Sequence, residues 1–480
     1  MTFPERPGLL RNSALTNTAG RCTDKSVHGA CSPTAFRADY IHASSMRVAS
    51  IGPLRCSVNS PLEHWGASMF TASMIRTASL SAWLALAALA SSRAAAELPQ
   101  HLAAGGFGPV IADFDFELGG DWETFDIRFG DTVAMRNGIA FASMPFSFGG
   151  RVAVHNLTAN GWQRVQTLNP PIPDAGFGRT ITFRDGLTIV GDQTAAYVYK
   201  RNSNGLWALR QTLRPPATDG VTLFPVALKY EAGTLIASAS RDAHPGVVYV
   251  FELGTDGRFF RRATLRARDG SPGDGFGGSL SMTKTTLVMG SSGAAYIFIH
   301  NSLGNWVQTQ KLVPAGTADG FGSSVAIDQG MIIVGAPRED LETEFDTPDG
   351  HWAGGAAYVF LPTAGRYLES LRLRPRVDEK FEYVNFGSQV AMMGRYIAIK
   401  AIGNPVNDSV VAQGIVFTYT RDGSTVLARG IASAHFESNS DNISMALANN
   451  WLLVGHLGSS RCFNGCPGDA ALYDVNRFQQ

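Results

Sequence analysis

One unit of sequence recurs from residue 129 to the end of the chain. Around Phe321 it reads DGFGSSVAIDQGMIIVGAP and, after an insert, GAAYVFLPTAGRYLESLRL. It returns as DGFGGSLSMTKTTLVMGSSGAAYIFIHNSLGNWVQTQKL from Asp274 and as AGFGRTITFRDGLTIVGDQTAAYVYKRNSNGLWALRQTL from Ala175. Weaker copies start at Phe129, Phe224 (followed by Pro225 instead of Gly), Phe386 and Asp441, which makes seven. With the strong copies counted from Phe177, Phe276 and Phe321, successive starts lie 48, 47, 52, 45, 65 and 55 residues apart, a mean of 52. A period in this range is that of propeller blades.

Each unit reads as four short strands: the segment after Phe-Gly, an Ile/Val run ending in Gly, a Tyr-Val-Phe run, and a strand led by an aromatic residue, as in NWVQTQKL. Aromatic and β-branched residues bounded by Gly and Asn turns are strand chemistry. A β-solenoid would use shorter coils of constant length, so four antiparallel strands per unit predict an all-β fold, a seven-bladed β-propeller of four-stranded antiparallel blades. The repeated glycines are read as the small residues that crowded inner blade edges need. None is followed by the Lys-Ser/Thr of a phosphate loop. The seventh unit ends near Val475 without a fourth strand, which would leave an exposed edge. Residues 110–127, VIADFDFELGGDWETFDI, sit where a fourth strand always precedes Phe-Gly, and they are predicted to close the ring as an N-terminal strand.

These motifs resemble the FG-GAP repeat family, the propeller repeat of integrin alpha-subunit heads and of many exported bacterial proteins. The resemblance covers about residues 110–480 and is sharpest at Phe321-Gly322 and Gly335-Ala336-Pro337; elsewhere the second motif decays to VGDQ, VMGSS or VGHL. It implies the fold and a tendency to bind ligands, not a particular ligand. Integrin-like repeats carry a calcium loop of spaced Asp residues between the first two strands. Here IDQGM, TKTTL and MGRYI stand there instead, so that property does not carry over to those turns.

Ahead of the repeats, Met74 to Ala96 has a basic Arg76, an apolar run from Leu80 to Ala90 and small residues before Glu97, the plan of a secretory signal. Its 11 apolar residues fall short of the ~20 a spanning helix needs, which weighs against the alternative of a membrane anchor. Residues 1–73 are polar and Ser-rich, and are read as a non-native extension or a disordered presequence, with organelle targeting as the other reading. Cys462 and Cys466 are the only cysteines after the signal, and an even pair in an oxidising compartment predicts a disulfide. A zinc site is the alternative, with an incomplete ligand set. The protein is expected to be secreted, periplasmic or at the cell surface, and monomeric.

The net charge of zero hides nine Lys/Arg against four Asp/Glu in the first 96 residues, which leaves the remainder near −5. A mildly acidic body without a basic stripe excludes nucleic acid as the expected partner. In an antiparallel meander the strand 2–3 loops share one face, and insertions there mark a working surface. The fifth unit inserts REDLETEFDTPDGHWAG, the sixth IGNPVNDSVVAQ and the seventh its cysteine loop. Candidate ligand contacts are Asp340, Glu342, Asp346, Asp349 and Trp352, with Asn407 and Asp408 beside them. Asp340, Glu342, Glu344 and Asp346 alternate, so an extended loop would aim four carboxylates one way, as a calcium ion requires; a solvated acidic loop is the bland reading. The run FDFELGGD, with Asp113, Asp115, Glu117 and Asp121, mimics calcium-loop spacing, but its alternating Phe residues fit a strand better. No other cofactor is expected.

No HExxH or GxSxG motif is present, and no catalytic residues are assigned. NSNGLW resembles sialidase hairpins, yet without a regular Asp-box series it reads as a strand 3–4 turn followed by an outer-strand Trp. Two functions stand: an exported binding or adhesion module for an extracellular protein or carbohydrate, and a secreted hydrolase or lyase with its site at the propeller centre.

Overall fold

A computed structural model describes residues 110–114, 129–145, 149–159, 161–172, 176–240, 245–316, 318–339, 354–375, 381–405, 413–433, 443–456 and 469–477 of the chain. They form seven antiparallel sheets. After an isolated first strand, β1 (Val110–Phe114), blade 1 holds β2 (Val133–Arg136), β3 (Ile139–Met144), β4 (Arg151–Thr158) and β5 (Gly161–Leu168). Blade 2 holds β6 (Thr180–Arg184), β7 (Leu187–Gly191), β8 (Ala196–Arg201) and β9 (Trp207–Leu213). Blade 3 holds β10 (Leu228–Glu231), β11 (Thr234–Ala239), β12 (Val247–Leu253) and β13 (Phe259–Leu265). Blade 4 holds β14 (Ser279–Met282), β15 (Thr286–Ser291), β16 (Ala294–His300) and β17 (Trp306–Leu312).

Blade 5 holds β18 (Ser324–Asp328), β19 (Met331–Ala336), β20 (Ala356–Thr363) and β21 (Arg366–Leu373). In blade 6 the inner edge is shared by β22 (Phe381–Val384) and β23 (Val390–Met393), which pair with opposite halves of the ten-residue β24 (Tyr396–Pro405); β25 (Gln413–Asp422) and β26 (Thr425–Ser433) follow. Blade 7 takes β27 (Ile443–Ala448), β28 (Trp451–His456) and β29 (Asp469–Asp474) from the end of the chain. Its fourth strand is β1, which pairs antiparallel with β29 from Val110↔Tyr473 to Phe114↔Ala470. The predicted closure is therefore present, with strand pairing at Val110–Phe114; the rest of that stretch, 115–127, lies outside the described residues. Asp113 stands within the closing strand, as its alternating Phe neighbours implied, and Asp115, Glu117 and Asp121 lie outside.

Apolar side chains occupy the gaps between blades. Among the described residues seven clusters of buried residues occur, one for each neighbouring pair of blades, including blades 7 and 1, where Phe129, Val133 and Met144 meet Leu453, Ala470 and Leu472. Second and third strands, packed on both faces, are almost continuously buried, as MIIVGA of β19 and LTIVG of β7 show. Outer strands are largely exposed, as in WALRQTL of β9, where only Trp207 and Leu213 are buried.

The repeat motif follows from this packing. Phe129, Phe177, Phe224, Phe276, Phe321 and Phe386 are all fully buried, and five of them lie edge-on or tilted against an aromatic ring of the third strand: Tyr197, Tyr249, Tyr296, Tyr358 or Phe417, at 5.3–5.9 Å between centroids. The Gly after each Phe, where present, has φ between +86° and +99°, a region that favours glycine. Its carbonyl faces the previous blade. There the second-strand Gly is pressed so close that a Cβ on Gly335 would lie 1.9 Å from Gly387 O, and one on Gly290 would lie 2.0 Å from Gly322 O. A first-strand serine completes the joint: Ser324 Oγ donates to Gly387 O at 2.7 Å, Ser279 Oγ to Gly322 O at 3.0 Å and, across the closing joint, Ser444 Oγ to Gly130 O at 2.7 Å.

Candidate functional site

Two regions of the ring hold polar groups in fixed positions. The first is the face of the strand 2–3 loops. The third-strand tyrosines are buried by their blades, yet each phenol must find a partner. Tyr197 Oη donates to Asp192 at 2.8 Å, Tyr249 Oη to Asp219 at 2.6 Å and Tyr358 Oη to Glu339 at 2.5 Å. In blade 4, Tyr296 is coupled to Asp269, which also takes Lys311 Nζ at 2.6 Å. Cations cover three of these rings: Arg261 over Tyr249, Lys311 over Tyr296 and Arg372 over Tyr358, at 5.9, 5.3 and 5.0 Å.

Glu339 is almost fully enclosed, 2% exposed. Besides Tyr358 it receives Arg374 Nη2 at 2.8 Å and pairs with Arg372. Burial, and then the nearby Arg374, bring the Arg372 guanidinium down to about 10. Burial, with Glu369 adding to it, raises the Tyr358 phenol to about 12. Glu339 also accepts Gly355 N–H on its carbonyl at 3.0 Å, so the two ends of the β19–β20 connection are tied together at this residue.

The second region is the axis. The innermost strands β2, β6, β10, β14, β18, β23 and β27 surround a cavity of about 520 Å³. Its lining mixes polar side chains with Met135, Met282, Met392, Met393 and Met445, of which Met135, Met282 and Met445 are mostly buried between blades. At the strand 1–2 hairpins the wall becomes charged. Arg184 pairs there with Glu231 across blades 2 and 3, and burial raises the Glu231 carboxyl against the pull of Arg184. Asp328 accepts Gly394 N–H at 2.5 Å, while Arg421 donates to Gly394 O and Gln329 Oε1, both at 2.8 Å, joining blades 5 and 6.

One ring of positions is singular. Ala134, Thr182, Lys229, Ser281, Ala326, Ala391 and Ala446 each pair with the second-strand residue seven places later, so they are equivalent, and all line the cavity. Six are small. Two of those bind the next blade directly: Thr182 Oγ1 accepts Tyr230 N–H at 3.2 Å and Ser281 Oγ accepts Ile327 N–H at 3.0 Å. The seventh is Lys229, whose side chain is exposed to the channel. Burial lowers its ammonium from the ordinary lysine range, with Glu231 opposing.

In sequence, the FG-GAP repeat matches residues 306–360. Those residues are β17 of one blade followed by β18, β19 and β20 of the next. The protein is a β-propeller that carries an FG-GAP repeat. The matched stretch is offset from a blade by one strand, the same phase in which β1 supplies the fourth strand of blade 7 from ahead of blade 1. No curated protein matches the FG-GAP propeller in sequence. Solved structures similar to it include a Lactobacillus plantarum protein (12% identity, 64% of this chain and 85% of the other, TM-score 0.44). The Pan2 WD40 domain of Neurospora crassa is similar at 9% identity, covering 74% and 92%, with a TM-score of 0.43. The periplasmic gluconolactonase of Pseudomonas aeruginosa is similar at 14%, covering 62% and 82%, with a TM-score of 0.42. Similarity at this level bears on neither ligand nor chemistry.

The residues that the sequence nominated, Asp340, Glu342, Glu344, Asp346, Asp349, Trp352, Asn407, Asp408 and the cysteines Cys462 and Cys466, lie outside the described residues, as does the signal segment 74–96. Sequence reading passed over Glu339, one residue short of the acidic run, and Lys229. Among the described residues no cluster of three or more His, Cys, Asp or Glu could hold a metal ion, and no helix is long and apolar enough to cross a membrane.

Proposed function

We propose that this FG-GAP propeller is the recognition module of an exported protein and takes an extracellular protein or carbohydrate on the face of its strand 2–3 loops. One observation carries the reading. The β19–β20 connection runs for nineteen residues between Ala336 and Ala356, whereas the same connection has two residues in blade 4 and four in blade 2. A long loop on a packed ring adds surface without disturbing blade packing, and binding residues concentrate on such loops. The buried Glu339 joint supports the reading from the other side, because it fixes where the loop leaves and rejoins the ring. The next two blades add seven residues between Pro405 and Gln413 and twelve between His456 and Asp469 on the same face. Carboxylates of the loop hold a cation or accept hydrogen bonds from hydroxyls, and Trp352 offers a flat apolar surface to a sugar ring. The Met74–Ala96 signal layout supports export.

The test replaces residues 340–353 by a short Gly-Ser linker, leaving Glu339 in place. The full chain and the linker variant are compared on glycan and extracellular-protein arrays, with calcium and with a chelator. The variant is expected to melt like the parent and to lose the parent's partner. Unchanged affinity of the variant for that partner overturns the assignment of the face.

A further inference from the structure

We propose that the central channel is a second binding site, for a small organic anion whose carboxylate is taken by Lys229. The singular ring makes the case. At this level the inner strands sit close enough for Thr182 and Ser281 to bond the next blade's backbone, and five of the seven positions are Ala or Ser. A lysine has no space between strands there, and its side chain is exposed to the channel.

The charges around it are already partly settled. Of the two carboxylates in the wall, Glu231 is paired with Arg184, and Asp328 is engaged by Gly394 N–H. Arg136, Lys229 and Lys284 also line the cavity. Lys229 has no hydrogen bond or ion pair within 4.0 Å among the described residues, so its ammonium stands open to an anion that enters the channel. A volume of about 520 Å³ lies within the range of small-molecule sites. A single ammonium at the inner ring, with the Arg184 guanidinium already paired to Glu231, suits a monovalent carboxylate better than a phosphate.

The probes are benzoate, its neutral isostere benzamide and inorganic phosphate, each titrated by calorimetry and ligand-observed NMR into the full chain. Benzoate is expected to bind at least tenfold more tightly than the other two. Lys229→Met is expected to weaken benzoate by about tenfold or more, the scale of one charge-assisted hydrogen bond. Lys200→Met, at an exposed position of β8, is expected to leave it unchanged. Should Lys229→Met fail to fold, Lys229→Gln serves for the loss and Lys229→Arg for retention. Equal binding of benzoate and benzamide, equal binding by the Lys229 and parent proteins, or no benzoate binding at roughly 10 mM overturns the proposal.

Discussion

The side-chain amide of Gln310 in β17 closes a two-bond ring with the backbone of Tyr367 in the next blade's β21: Nε2 donates to the Tyr367 carbonyl at 2.7 Å, and Oε1 accepts the Tyr367 N–H at 2.9 Å. Gln166 makes the same pair of bonds to Trp207, and Gln211 to Phe259. Each glutamine stands four residues after the aromatic that leads its outer strand. Blades 3 and 5 have Ala263 and Leu371 at that place. Gln310→Leu keeps the bulk and removes both bonds, leaving two backbone groups without their partner. A loss of about 1–3 kcal/mol in denaturant unfolding is expected, and Gln211→Leu, at a different joint, is expected to add to it. An unshifted midpoint would show that solvent replaces the clasp at no cost.

Gly335→Ala tests the repeat motif itself. The new methyl would meet Gly387 O and Ser324 Oγ, at 1.9 and 2.4 Å, and backbone cannot give way as a flexible side chain does. The expected loss is about 3 kcal/mol or more. Gly365→Ala is the control: nothing lies near its Cβ, and φ of +77° alone costs roughly 1–2 kcal/mol. A loss at Gly335 no larger than that at Gly365 would show that the joint between blades can give way and does not require glycine there.

Removing Val110–Phe114 strips the outer strand from blade 7 and exposes the edge of β29. Four paired positions are lost, which at the usual worth of backbone hydrogen bonds predicts a decrease of roughly 2–4 kcal/mol and a tendency to associate through the bare edge. Calorimetry and light scattering check it. An unchanged melting temperature with no association would mean that the ring does not depend on β1.

Acid should weaken the ring through His155. This residue of β4 is 4% exposed, and burial, followed by repulsion from Arg164, lowers its imidazole from 6.5 to about 4. Between those values the unfolded chain takes up a proton that the folded chain refuses. Stability from this residue is therefore complete above pH 6.5 and is lost as pH falls toward 4, by roughly 3 kcal/mol in all. His155→Gln is expected to flatten that part of the pH profile. If parent and variant profiles run parallel, His155 does not titrate in this way.

How much of this was legible in sequence depended on range. Phe321-Gly322 and Gly335-Ala336-Pro337 are local, and packing repeats them, so seven copies disclosed the blades and the missing strand. The NGLW turn and its outer-strand Trp207 were readable for the same reason. Gln310 carried a visible signal, the four-residue spacing from Trp306, but its meaning lies in a partner 57 residues away. Lys229 was harder still. It is unusual only against six residues drawn from the whole ring, and that comparison needs the strand registers. The divided inner edge of blade 6 left no mark, because β22 precedes Phe386-Gly387, where other units have a loop.

The one-strand offset between repeat and blade also has a hereditary meaning. A duplicated gene segment that encodes one repeat delivers an outer strand for the blade before it and three strands that await the outer strand behind it. Its two seams are alike wherever it is spliced in, so copying or deleting a repeat changes the size of the ring without requiring a new way to shut it.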